Sequence, residues 1–218
     1  MLSATPTRWA SVECETRLAG LLPAALESAS THEETPARTA SSATHGEPAT
    51  QCGVGALDFM SDTLYGGRRF RTLNILDEGV REGLTIEVDT SLPAERVIRV
   101  LEQVVSWRGH PQALRLDNGP ELLADRFIAW CADRGIELRY IQPGKPAQNG
   151  FIERFNRTYR TEVLSAYVFE SLDQVREISA EWLLTYDEVR PHDALAGVPP
   201  ATYRAQLNAG SSPLPVSR

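Results

Sequence analysis

The apolar residues of this chain change their period once, and that switch constrains the fold more than any other feature. Ala56–Met60 reads as a strand, Tyr65-Gly66-Gly67 as a turn, Phe70–Leu76 as a second strand and Leu84–Val88 as a third. The segment therefore opens as an antiparallel meander. The spacing then turns helical. After Ser91-Leu92-Pro93, with Ser91 the candidate N-cap, Val97, Val100, Leu101, Val104 and Val105 recur at helical intervals until Gly109. Ala113–Leu116 predicts a short buried strand. Pro120–Arg134 predicts a helix with Phe127, Ile128 and Cys131 inward, ended by Gly135, and Ile136–Ile141 a fifth strand. A Pro/Gly loop leads to a helix over about Gln148–Ser165, and Ser171-x-x-Gln174 is a capping box for another, to about Tyr186. Trp107, Trp130 and Trp182 lie at helical spacing and belong in a core. A meander followed by alternating helix and strand gives an α/β fold, a mixed five-stranded sheet, antiparallel first and parallel after, flanked by helices.

This pattern occupies residues 54–207. Upstream, the run from Ser28 to Thr50 contains no Val, Ile, Leu, Met or aromatic residue. It cannot bury enough surface to offset the entropy of ordering it, so residues 1–53 are expected to be a disordered or non-native segment. Residues 208–218 read as a flexible tail. Three cysteines, odd in number and widely spaced, form neither a disulfide framework nor a metal clip. No apolar run is long enough for a spanning helix, and no signal pattern opens the chain, which reads as cytoplasmic with no membrane partner. The net charge of −7 argues against a protein that coats DNA generally, while leaving room for a nucleic-acid enzyme with local basic residues.

Three acids sit where acids are awkward. Asp58 lies inside the first strand between Leu57 and Phe59, Asp117 ends the fourth strand before Asn118-Gly119, and Glu153 lies in the helix after the fifth. Burying a charge is costly unless it is paired or holds a metal. If the first and fourth strands are neighbours, Asp58 and Asp117 approach across the sheet and Glu153 can join from the side. Hard carboxylates of this kind suit Mg²⁺ or Mn²⁺. Each acid also has a plainer reading. Asp58 can be a wet strand-edge residue, Asp117 a turn or cap residue, and Glu153 a solvated partner of Arg157 at i+4. Asp62 and Glu121, close by, fit surface or cap roles.

The segments Leu57-Asp58-Phe59-Met60-Ser61-Asp62, Arg115-Leu116-Asp117-Asn118-Gly119-Pro120-Glu121 and Gln148 through Arg157 resemble the catalytic core of retroviral-integrase-like DDE transposases. The likeness is strongest to the second-frame product of two-frame bacterial insertion sequences. It extends through Tyr186-Asp187-Glu188-Val189-Arg190-Pro191-His192 to Pro199 and Tyr203, and 35 residues separate Asp117 from Glu153. The resemblance implies a ribonuclease-H-like fold and a polynucleotidyl transferase acting in DNA integration, recombination and transposition. It implies Asp58, Asp117 and Glu153 as the catalytic, metal-binding triad, with two Mg²⁺ or Mn²⁺ ions once DNA is bound. The expected partners are DNA, both element ends and target, and a second copy or a full-length transposase, in a nucleoid-associated bacterial setting.

Lys145, Gln148, Asn149, Arg154, Arg157 and Arg160 are the candidate DNA contacts. Three arginines at every third position beside a metal site suit phosphates through their bidentate geometry, though any one of them also fits a salt-bridged surface. His192 fits a packing or cap role better than that of proton carrier. Two positions depart from the family. Gly55 stands where it usually has Trp, and Gly79 ends an acid-acid-aromatic turn as Asp77-Glu78-Gly79, so looser packing is expected at the meander. Residues 1–53 show no helix-turn-helix, which reads as N-terminal truncation. The alternative function is thus a catalytically inactive remnant that binds DNA or interferes with a full-length transposase.

Overall fold

The computed structural model describes residues 53–142 and 146–210. The expectations for residues 1–52 and for most of the C-terminal tail fall outside them, as does Lys145. Five strands form one sheet in the order β3-β2-β1-β4-β5. They are β1 (Val54–Thr63), β2 (Arg69–Asp77), β3 (Glu82–Asp89), β4 (Ala113–Leu116) and β5 (Glu137–Tyr140). β1 to β3 pair antiparallel, while β4 runs parallel to β1 and β5 parallel to β4. This is the mixed sheet that the switch in period implies.

Alternation along the central strand divides the core. Leu57 packs with Leu73, Ile75, Leu114 and Leu116 against the helices α1 (Ala94–Arg108) and α2 (Asp125–Asp133). Ala56 and Met60 face the opposite way, toward α3 (Gly150–Tyr159) and α4 (Leu172–Glu188). Successive strand residues point to opposite faces, so Asp58, between Leu57 and Phe59, turns to the α3 side. On that side Phe155, Tyr159, Trp182 and Tyr186 stack edge-on or tilted, with ring centroids 4.9–5.3 Å apart. The stack reaches β3 because Gly83 has no side chain. A Cβ there would meet Leu183 Cδ1 at 2.4 Å and Phe155 at 2.9 Å.

Several boundaries differ from expectation for identifiable reasons. Ser91 does not cap α1. The helix begins after Pro93, whose carbonyl accepts from the Arg96 and Val97 N–H groups, because a residue preceding proline is held out of the helical region. α2 starts at Asp125 rather than Pro120, since residues 119–123 turn to bury Leu122 first. That start phases Phe127, Trp130 and Cys131 inward and leaves Ile128 38% exposed. Trp107 is 52% exposed, just off the stripe of Val97, Val100, Leu101, Val104 and Arg108 that α1 buries. Trp130 is buried, and Trp182 is half-buried with its indole N–H on Glu162. The helix after β5 is broken into a 3₁₀ turn (Pro146–Asn149), α3 and a π-type turn (Arg160–Leu164). Ser171 caps α4 by accepting from the Gln174 N–H, while the Gln174 side chain accepts from Glu170 instead of Ser171. A last helix, α5 (Pro200–Asn208), closes the described chain. The meander is not loosened at Gly55. Leu114 takes that space, with its Cδ2 3.0 Å from where a Cβ would stand.

Candidate active site

The parallel register pairs Val54 with Ala113 and Ala56 with Arg115. Continued by two residues, that offset sets Asp58 beside Asp117, just past the last paired residues. Asp58 Oδ1 accepts from the Phe59 N–H at 2.8 Å, and Oδ2 accepts from Asn156 Nδ2 at 2.8 Å. Asn156 Oδ1 in turn accepts from Asn74 Nδ2 at 2.6 Å. Asn74 is fully buried on β2 directly opposite Asp58. Two asparagines thus tie α3 to both central strands. Glu153 lies three residues before Asn156 and shares its helix face.

Asp58 senses the other two acids. Burial pushes the Asp58 carboxyl up to about 6, and the charges of Asp117 and Glu153 push the same way, against hydrogen bonds from Phe59 and Asn156. Asp117 is fixed by an N–H from Gly119 to its Oδ1 at 3.0 Å. A side chain at Gly119 would stand 3.0 Å from that same oxygen, so the glycine keeps the carboxylate free of crowding. Glu153 sits in the first turn of α3, where the helix dipole favours an anion. Among the described residues, no three acidic, His or Cys side chains are gathered tightly enough to be a ready-made metal group. The donor chemistry nevertheless fits a hard divalent ion. A half-buried carboxylate that is costly to ionise, with two more acids acting on it, is the set a cation would relieve.

The candidate DNA contacts have dissimilar settings. Arg154 and Arg157 are exposed on α3. Arg160 is engaged, with Asp62 at 3.3 Å and the Ser61 carbonyl at 3.0 Å. Gln148 braces its own loop: Oε1 accepts from the Gln142 N–H at 3.0 Å, and its carbonyl accepts from Arg115 Nη1 at 2.6 Å. Asn149 is the N-cap residue of α3 and only 3% exposed, its Oδ1 without a partner among the described residues. Lys145 lies outside the described residues. Asp62 and Glu121 are paired with Arg160 and Arg71, as suits surface acids. His192 packs edge-on against Tyr186 at 4.8 Å. Asn74 and Asn156 were not singled out from sequence, although a polar residue between Leu73 and Ile75 in an apolar strand was an available signal.

Comparison with known proteins agrees with this architecture. Residues 53–146 and residues 134–200 each match a family described as integrase core domain. An uncharacterized 39.2 kDa protein of insertion element IS476 from Xanthomonas euvesicatoria is 41% identical over 150 residues, 69% of this chain and 43% of that protein. An uncharacterized 31.7 kDa protein of insertion element IS407 from Burkholderia multivorans is 37% identical over 156 residues, 72% of this chain and 56% of that one. The chain spans about half the length of these two relatives. The HTLV-2 integrase catalytic core domain, solved in complex with magnesium in a trimeric form, shares the fold. Its TM-score is 0.55 at 17% identity, over 70% of this chain and 96% of that one. Two integrase-core matches lying on one mixed sheet, with insertion-element proteins as relatives, mean that the chain belongs to the integrase core domain family, as an integrase-like transposase core with the ribonuclease-H-like fold.

Proposed function

We propose that this core cuts DNA phosphodiesters and joins the freed 3′ ends to another strand, with Asp58, Asp117 and Glu153 holding Mg²⁺ or Mn²⁺. The observation that carries the reading is the parallel register that sets Asp58 beside Asp117, with the charges of Asp117 and of Glu153 on α3 both acting on Asp58. These residues would hold the ions, whose chemistry would be Lewis-acid activation of a water and charge stabilisation in an in-line displacement. The chain's own residues supply position. Asn156 and the Phe59 N–H orient the Asp58 carboxylate, and Gly119 orients that of Asp117. Arg115, bonded to the Gln148 carbonyl, fastens the start of the Glu153 helix to β4. The exposed guanidiniums of Arg154 and Arg157 offer phosphate contacts beside Glu153. Element ends and target DNA are the proposed substrates, and further copies of the chain or a full-length transposase the proposed protein partners.

A nicking and strand-joining assay on pre-cut element ends with Mn²⁺ or Mg²⁺ tests the reading. Asp58→Asn, Asp117→Asn and Glu153→Gln should each fall to background while remaining folded by circular dichroism. Retention of metal-dependent cleavage in all three folded variants would overturn the assignment.

A further inference from the structure

On the face of α3 that carries Phe151, Arg154 and Thr158, three arginines from separate parts of the chain converge on one cleft of about 210 Å³. Arg81 comes from the turn between β2 and β3, Arg154 from α3 and Arg190 from the segment after α4. The Arg81 guanidinium carbon lies over the Phe151 ring, 3.3 Å from its centroid, and the group donates to the Glu78 carbonyl. Its backbone has φ 60°, a conformation that favours glycine, so an arginine is held here at a conformational cost. Arg190 is aligned over Tyr186 and anchored by the Glu162 carboxylate. Arg154 makes no ion pair among the described residues. Burial, and less strongly the charges of all three arginines, hold the His192 ring below its ordinary value, against a backbone hydrogen bond at Tyr186. His192 Nε2 is buried in this wall without a hydrogen-bond partner among the described residues. The cleft's own lining carries one acid, the exposed Asp193.

We propose that this cleft is an anion site that grips one backbone phosphate of a DNA strand, with Arg81, Arg154 and Arg190 as its donors. The proposal rests on the DNA reading above and adds a place and a register to it. Arg154 follows Glu153 directly on α3, and successive side chains leave a helix about 100° apart, so a phosphate held here lies on the helix face next to the one that carries the acid. A planar guanidinium stacked on an aromatic ring presents its edge in a fixed direction, which suits a phosphate oxygen better than a mobile surface cation does. Phosphate contacts position a duplex without reading its sequence, so the grip should be equal for element-end and scrambled DNA.

The test is fluorescence anisotropy of labelled duplex with the full chain in EDTA, across a salt series, so that no result depends on catalysis. Arg154→Ala should weaken binding roughly fivefold and lower the salt slope by about one. Arg81→Gly, which suits the backbone at that turn, should do the same, and the double variant should lose about two. Arg126→Ala, which removes a charge from the exposed side of α2, should stay within twofold of wild type. Wild-type binding with unchanged affinity and slope in the cleft variants would overturn this site and leave the DNA reading standing. No wild-type binding at low salt would overturn both. A melting shift with millimolar inorganic phosphate that vanishes in Arg154→Ala, with DNA affinity unchanged, would make the cleft a free-anion site and overturn the assignment to DNA.

Discussion

Asp58 is kept at a site that penalises its ionised form. Its folded pKa of about 6 lies above the ordinary 3.8, so folding favours the neutral acid and works against the carboxylate. The cost is absent below pH 4, develops as pH rises through 6, and is present in full at pH 7. A shift of this size corresponds to at most about 3 kcal/mol. Asp58→Asn keeps an oxygen for one of the two donated hydrogen bonds and removes the charge. In EDTA at pH 7 the variant should be more stable than wild type, by about 1–3 kcal/mol in urea unfolding, with the gain gone at pH 4. Equal or lower stability at pH 7 would show that the charge is already compensated. The same substitution should abolish cleavage, so stability and activity move in opposite directions at one atom, as expected where function sets the residue.

At the level of elements, the turn joining β2 to β3 is locked to the end of α1 by buried charges. Arg108 Nη2 stands 2.9 Å from Asp77 Oδ2 and 3.0 Å from Glu82 Oε2, and Arg204 of α5 reaches Glu82 at 3.2 Å. Arg108 is 5% exposed, so its removal strands Asp77 away from water and leaves Glu82 with Arg204 alone. Arg108→Ala should cost about 3–5 kcal/mol, and much less in an Asp77→Asn, Glu82→Gln background where no charge is stranded. Urea midpoints of the two pairs check this; equal losses in both backgrounds would mean that the side chain matters for packing alone. This cluster marks a boundary of what sequence reveals. Apolar runs and the acids interrupting them were readable, because a charge inside an apolar strand is improbable without a task. The mixed sheet followed from the switch in period, whereas the approach of Asp58 to Asp117 depended on the first and fourth strands being neighbours, which the parallel register supplies. Arg108 was not readable, since a basic residue in a last helical turn ordinarily faces water. Asn156 was equally silent, because an asparagine on a helix carries no sign of what it will touch. The start of α2 was misjudged because Asp117-Asn118-Gly119-Pro120 serves a turn as well as a cap, and only burial of Leu122 decides between them.

Across the whole molecule, stability should depend on pH through the packing of α4 on β3. Asp187 accepts from the Gly83 N–H at 2.8 Å in the seam that Gly83 opens. Burial pushes its carboxyl up to about 8, Glu82 adds to the shift, and the Gly83 hydrogen bond and Arg204 oppose it. A folded pKa above the unfolded one means that the folded state binds the extra proton, so stability is lost as pH rises from about 4 through 8. Other groups bend the profile elsewhere. Burial raises the Glu121 and Glu162 carboxyls, but hydrogen bonds and charges, chiefly from Arg71 and Arg190, together outweigh it and hold both low, and their contribution is lost only as pH falls below 4.5. His192, held below 6.5, adds stability as pH rises toward that value and nothing above it. Asp58 has finished titrating soon after pH 6. The interval from pH 6.5 to 8 therefore isolates Asp187, together with any upward tail from Glu78 and Glu82, whose carboxyls burial also raises. In EDTA the wild-type unfolding free energy should fall across that interval with a slope approaching about 1.4 kcal/mol per pH unit. Asp187→Asn retains an oxygen for the Gly83 N–H and cannot ionise, so its profile should be nearly flat. A wild-type curve that is level or rising between pH 6.5 and 8 would mean that the seam admits enough water to solvate the carboxylate, and that α4 packs on β3 less tightly than the Gly83 contact indicates.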